Sequence, residues 1–301
     1  MVALLPAVLP VGLIILIGFI ISKTINLDRQ TLSHLILYVL SPALIVDSLY
    51  STSISVGSSI DLLIGFILTA TLVYSTTYLL SRITQLSRPI RTAFIAASLF
   101  PNNGNMGLPV VTFALGAAGL ERAIIYMIFS SILMFCIGPA IIQGKGIVSG
   151  IKLIIKLPLI WAILAGLSLR FLRLIVVDFQ LPFDLDLGIH KLGQAAIPIA
   201  LILLGIQLAN TKFTVGPLEL LAAMVRLLIA PAIAFAVGTA LQLANLELHV
   251  LVLQSGMPTA VNSLILVTEF GGERDLTARC IITSTLLSFI SIPLVLFLLG
   301  S

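Results

Sequence analysis

Phe100-Pro101-Asn102-Asn103-Gly104-Asn105-Met106-Gly107-Leu108-Pro109 lies in the middle of an apolar segment running from about Ile90 to Leu115. The segment is long enough to cross a bilayer, yet its centre cannot continue an ordinary helix. Pro101 and Pro109 lack the N–H that a helix interior uses, and Gly104 and Gly107 have little helical preference. In hydrocarbon every unpaired backbone group is costly, so broken backbone at that depth has to line a protected polar cavity. A second break of the same kind, Ser255-Gly256-Met257-Pro258-Thr259-Ala260-Val261-Asn262-Ser263, sits in the segment Glu247–Phe270. The sequence reads as a chain built around these two breaks facing each other.

The surrounding chain of 301 residues is 59% hydrophobic and 9% charged, with mean hydropathy +1.21. Soluble domains carry about 25% charged residues, so the fold class is an all-α integral membrane protein and the lipid bilayer is its first partner. The net charge of +4 calls for no nucleic-acid partner, because the basic residues sit in short loops between apolar spans. Cys136 and Cys280 fall inside apolar spans and read as packing residues. No metal-ligand spacing and no cofactor motif is present. The first apolar stretch lacks a basic leader and a small-residue cleavage site, which predicts a retained helix.

Ten spans are expected: 3–22, 31–50, 59–81, 90–116, 120–143, 151–172, 187–209, 216–243, 247–270 and 277–300. The longest connector, Arg173 to Asp186, carries Asp178, Asp184 and Asp186. Markers in the two halves recur in register. Pro101, Asn105, Phe113 and Arg122 reappear as Pro258, Asn262, Phe270 and Arg279, an offset of 157 residues. His34 and Pro42 match His190 and Pro198 at an offset of 156, and Pro10 and Gly18 match Pro158 and Gly166 at 148, the jump of eight residues being absorbed by the longer connector after Arg173. The first repeat therefore covers 1–150 and the second 151–301. Five spans per repeat is an odd number, so the second must be inserted upside down. Basic residues agree with this. With the N-terminus outside, the inner loops hold eleven (Lys23, Arg29, Arg82, Arg88, Arg91, Lys145, Lys152, Lys156, Lys212, Arg274, Arg279) and the outer loops four (Arg122, Arg170, Arg173, Lys191). The positive-inside rule then puts both termini outside. Inverted repeats with paired broken helices are the architecture of a secondary transporter with its site near the midplane.

Asn102, Asn103, Asn105 and Asn262 carry both donors and acceptors without charge. They satisfy stray backbone groups at a break, or they grip a carboxylate beside helix N-termini, whose free N–H groups favour anions. Pro101 and Pro258 create the breaks; Thr112 and Thr259 are further lining candidates. Arg226 lies deep in the eighth span, where an unpaired cation is expensive. It is read either as a substrate contact favouring dianions or as half of an internal pair with Glu219. Asp47 and Glu269 lie near span ends, solvated there or contacting a coupling ion or gate. His34 and His190 occupy equivalent repeat positions and are either interfacial or proton gates.

These residues resemble the auxin efflux carrier family, which includes plant auxin exporters and bacterial malonate and malate permeases. Pro101 to Pro109 is the most specific part, in the prokaryotic version with Gly104 and Asn105; Pro258, Asn262 and Glu269-Phe270 also fit. Two departures stand out. The long cytoplasmic loop of many plant members is replaced by Gln143–Gly150, and Thr268 stands where plant members often carry lysine. The resemblance implies ten helices, the fourth and ninth discontinuous and crossing. It also implies a scaffold (1–51 plus 151–213), a transport core (57–143 plus 214–300) that moves like an elevator, and a homodimer. The substrate would be a small organic anion, auxin-like or malonate/malate-like, held at the helix 4/9 crossover and carried across the plasma membrane. A sodium-coupled carrier like the bile acid symporters, which share the fold, and an anion channel are the alternative readings. The coupling ion, H+ or Na+, is left open by the residues. An intramembrane enzyme would need a nucleophile with its base, or a metal cluster, at one depth; the spans contain neither.

Overall fold

The computed structural model describes residues 5–25, 27–52, 54–139, 158–176, 179–209 and 215–300. The loop Gln143–Gly150, the loop lysines Lys145, Lys152, Lys156 and Lys212, and Asp178 and Ser301 lie outside the described residues. Within them the regular structure is helical: α1 (Leu5–Thr24), α2 (Arg29–Ser51), α3 (Val56–Ile83), α4 (Arg88–Leu99), α5 (Asn103–Ile137), α6 (Pro158–Ile175), α7 (Leu185–Ala209), α8 (Pro217–Ala240), α9 (Asn245–Ser255), α10 (Ser263–Glu269) and α11 (Arg274–Leu299). This is an all-α, multi-pass membrane protein.

By length and composition, seven described helices can cross a bilayer: α2, α3, α5, α6, α8, α11, and α7 with its preceding turn. The difference from the ten expected spans arises in three places. The apolar part of α1 is short, Leu9–Thr24. The ninth segment is divided into α9 and α10. The fourth is divided into α4 and the start of α5, which then runs on into the fifth segment. Within α5, Gly116 has φ 67° and ψ −162°, and a Cβ there would meet nothing within 4 Å. It is backbone conformation, not crowding, that requires glycine at this corner.

Prolines shape the helices from inside. Each of four π turns, Ile36–Leu40, Asn103–Gly107, Leu133–Ile137 and Val225–Ile229, ends two residues before a proline: Pro42, Pro109, Pro139 and Pro231. In each, the residue just before the proline donates its N–H five residues back, as Ser41 does to Ile36 and Ala230 to Val225. A proline ring clashes with the carbonyl four residues back and offers it no N–H, so the widened turn absorbs the misfit. Hydroxyls inside the spans donate to the preceding turn, as Thr71 does to Ile67 O and Thr77 to Val73 O (both 2.7 Å), which lets polar side chains sit in apolar segments. At the start of α2, Asp28 accepts from the Thr31 hydroxyl and from the N–H groups of Gln30 and Thr31. These bonds, the Thr31 hydroxyl first, hold its carboxyl below the ordinary carboxylate range. The cap is complete above that range and is lost only as pH falls through the lowered value.

The chain divides into two compact units. One comprises 11–54 and 152–210. Its helices touch backbone to backbone through glycine. A Cβ on Gly205 of α7 would lie 2.0 Å from Ile15 O of α1, and one on Gly18 of α1 would lie 2.3 Å from Ile202 O of α7. A Cβ on Gly166 of α6 would lie 2.9 Å from Leu49 Cβ of α2. Lys23 closes the α7 end by donating to Ala209 O at 2.8 Å. Gly205→Val is expected to separate α1 from α7, since membrane helices depend on such close approach. Loss of monodisperse protein on size exclusion would register this, and parent-like behaviour would contradict the packing.

The other unit comprises 1–10, 55–151 and 211–301. Phe66, Tyr126, Ala234, Leu251 and Val252 form a buried cluster in it, with Phe66 and Tyr126 edge to face at 5.0 Å. Two ion pairs tie its helices: Arg122–Glu247 at 2.7 Å, and Arg279–Glu219. Both breaks belong to this unit.

Candidate functional site

The two broken stretches meet at an isolated antiparallel bridge between Pro101 and Thr259. Asn102 N–H donates to Pro258 O at 2.7 Å, and Ala260 N–H to Phe100 O at 2.9 Å. Pro101 and Pro258 thus end α4 and α9 and present extended backbone that pairs across the crossing.

Backbone accounting explains why the crossing is tolerated in an apolar interior. A helix leaves its last four carbonyls unpaired. In α4 these are Ala96, Ala97, Ser98 and Leu99. Ala96 O accepts from Phe100 N–H (3.3 Å), Ala97 O from the Thr259 hydroxyl (2.7 Å), and Ser98 O and Leu99 O from Arg226 Nη1 (2.8 and 3.0 Å). At the end of α9, Val252 O and Leu253 O accept from Gly256 N–H, Ser255 O from Arg226 Nη2, and Met257 O from Arg226 Nε at 3.0 Å. Thr259 N–H donates to Ser284 Oγ of α11 at 3.0 Å.

The N-terminal sides differ. Met106 and Gly107 N–H reach back to Asn102 O, and Asn103 N–H to Pro101 O. The N–H groups of Gly104, Asn105, Val261 and Asn262 have no partner among the described residues. They form open donors just beyond the crossing on each strand. The field there comes mainly from α5. The second half of the ninth segment, α10, has only seven residues, too short to supply a macrodipole of comparable reach.

The predicted site residues separate by burial. Asn105 is half-buried and Asn262 exposed, so both amides are reachable beside the open donors. Asn102 and Asn103 are buried, and both amide atoms of Asn103 lack a partner among the described residues. Thr259 is fully buried and braces α4. Thr112 spends its hydroxyl proton on Leu108 O at 2.7 Å. Arg226 is 2% exposed and bonded to four carbonyls, so the expected internal pair with Glu219 does not form; Glu219 binds Arg279 instead. The physical reason is supply: two helix ends already offer Arg226 unpaired acceptors.

Asp47 and His190, both in the glycine-packed unit, are joined at 2.9 Å, and His190 also meets Gln194 at 2.9 Å. His34 packs edge-on to Tyr38 at 5.9 Å. Glu269 ends α10 with its side chain exposed. Sequence reasoning missed Ser284 and the partners of Arg122 and Arg279. The equivalence of the two arginines at the 157-residue offset was the available signal, but it does not name the acids.

Comparison with known proteins fits this architecture. The Membrane transport protein family matches residues 3–151 and 146–296. An uncharacterized transporter of Methanothermobacter thermautotrophicus is 31% identical, with 95% of each chain covered. An uncharacterized transporter of Methanocaldococcus jannaschii is 27% identical over 95% of this chain and 96% of its own. A Rhizobium meliloti protein named "Putative malonate transporter" is 24% identical over 98% and 95%. Broken helices crossing in an apolar bundle, and family matches that together span nearly the whole sequence, lead to one assignment: the chain belongs to the membrane transport protein family, the auxin efflux carrier-like transporters.

Proposed function

We propose that this transporter moves a small organic anion, a carboxylate of the malonate class, by alternating access, with the anion held at the crossover. One observation carries the reading: four open N–H groups and the reachable amides of Asn105 and Asn262 flank a crossing whose other backbone groups are largely paired. Neutral donors with a helix N-terminal field suit a carboxylate that has to be released again. The name carried by the Rhizobium meliloti relative supports malonate as the first substrate to try.

The fold reading behind this is ten spans in two inverted repeats. Helices α4 with the first part of α5, and α9 with α10, are the discontinuous fourth and ninth spans; the Gly116 corner separates the fourth from the fifth. Glycine packing supports the inversion. Gly18 of the first span packs on the seventh, and its counterpart Gly166 of the sixth packs on the second, the exchange that inverted repeats require. The division into two compact units supports a scaffold (11–54 with 152–210) and a moving core that slides as an elevator.

Proteoliposomes test the function. Saturable malonate uptake with counterflow is expected, and a repeat with and without sodium and at two pH values reads the coupling. Linear, non-saturating flux would favour a channel. We place both termini outside at the plasma membrane, from the eleven-to-four basic bias. Ser301→Cys should then react with an impermeant maleimide in intact cells. Reaction only after permeabilisation would refute the orientation.

A further inference from the structure

Four carbonyls at the ends of two half-helices converge on one guanidinium, and among the described residues no carboxylate is its partner. We propose that Arg226 is a positioning residue of the transport site. It is the shared counter-charge of the α4 and α9 C-terminal ends, and it keeps the two breaks together as one body while the anion binds and leaves. This rests on the crossover being the transport site.

Charge explains why one arginine suffices. Each helix C-terminus carries about half a negative charge, so two ends cancel roughly one buried cation without an acid. An isolated cation at that depth is costly, and here the helix ends replace its hydration. Shape explains why the residue is arginine. The planar fork spreads its donors over acceptors from two separate segments, which the point charge of a lysine does not match. Arg226 also sits in the π turn Val225–Ile229 that Pro231 forces, so the widened turn sets where the guanidinium lies.

The repeat gives an independent observation. At the 157-residue offset Arg226 corresponds to Thr69. The Thr69 hydroxyl is buried without a partner among the described residues, and it lines the same cavity of about 10 Å³ as Arg226, Tyr126 and Ser255. One repeat supplies the cation and the other a small neutral side chain. A second arginine at position 69 would leave the core with surplus charge. Because Arg226 is already neutralised, the transported anion meets the open N–H groups and asparagines, not the guanidinium.

Hydrogen exchange read by mass spectrometry tests this on the intact, purified protein without substrate. The amides of Asn102 and Ala260 donate across the crossing, so their protection reports whether the breaks stay together. In Arg226→Met both are expected to exchange at least about tenfold faster, with α3 unchanged. Parent-like protection at both amides in a folded variant would overturn the proposal. So would a uniform loss over the whole unit, which would make Arg226 a general stability residue. Should the methionine variant not fold, Arg226→Lys keeps the charge but not the fork; smaller, selective acceleration at the same amides is expected, and parent-like exchange would overturn the requirement for arginine. Since no substrate enters, a failure here is distinct from a wrong choice of anion. In malonate and acetate counterflow, the lysine variant should lose turnover for both alike. Selective loss of malonate would show that Arg226 binds the anion and would also overturn the proposal.

Discussion

Asn105→Ala and Asn262→Ala are each expected to weaken anion binding by about 1–3 kcal/mol, the worth of one hydrogen bond to a charged group. In affinity that is roughly fivefold to a hundredfold or more. Asn105 is half-buried and Asn262 exposed, and neither makes a side-chain hydrogen bond that caps its helix. Truncation therefore leaves no buried donor stranded, and melting temperature should move little. Calorimetry with malonate on the purified variants separates the two roles. Unchanged affinity together with lost stability would make the asparagines braces of the broken backbone, and the binding site would have to be sought elsewhere. The alanine variants bear on affinity, whereas Arg226 bears on the integrity of the crossing, so the two sets of measurements fail independently.

Arg122→Ala carries the largest expected cost in stability. Arg122 Nε donates to Glu247 Oε1 at 2.7 Å, and the side chains are 17% and 4% exposed. Burying an ion pair gains little over apolar packing, but removing one partner strands a buried charge, a penalty of about 3–5 kcal/mol. Arg122 also donates to Ala118 O at 3.0 Å, so it holds the turn after the Gly116 corner. Lower thermal stability in detergent is expected for Arg122→Ala, with most of it recovered in Arg122→Leu/Glu247→Leu, where both charges are gone. If the double variant is as unstable as the single one, the stranded carboxylate is not the cause. The repeat-equivalent change, Arg279→Ala, should cost less. Glu219 is as buried as Glu247, but Arg279 is more than a third exposed, so truncating it opens a path for water to the stranded carboxylate.

Much of this protein was written locally and was legible without a structure. Apolar runs add up residue by residue into spans, and a proline or glycine disturbs a helix wherever it stands, so the breaks at Pro101 and Pro258 announced themselves. The 157-residue register between Asn105 and Asn262 needed only comparison of the two halves. Pairing across the chain was another matter. Glu219, two turns from Arg226 on one helix, looked like its partner because helical spacing is the only geometry a sequence displays. The tertiary structure gave Glu219 to Arg279, 60 residues on, and gave Arg226 to carbonyls as many as 128 residues away. Backbone acceptors carry no residue identity, so no sequence pattern marks them. Burial among the asparagines was equally hidden. The π turn at Asn103–Gly107 and the crossing strand bury Asn102 and Asn103 and leave Asn105 within reach. The widened turn precedes Pro109, and burial changes within it from Asn103 to Asn105, a contrast that residue type alone does not display.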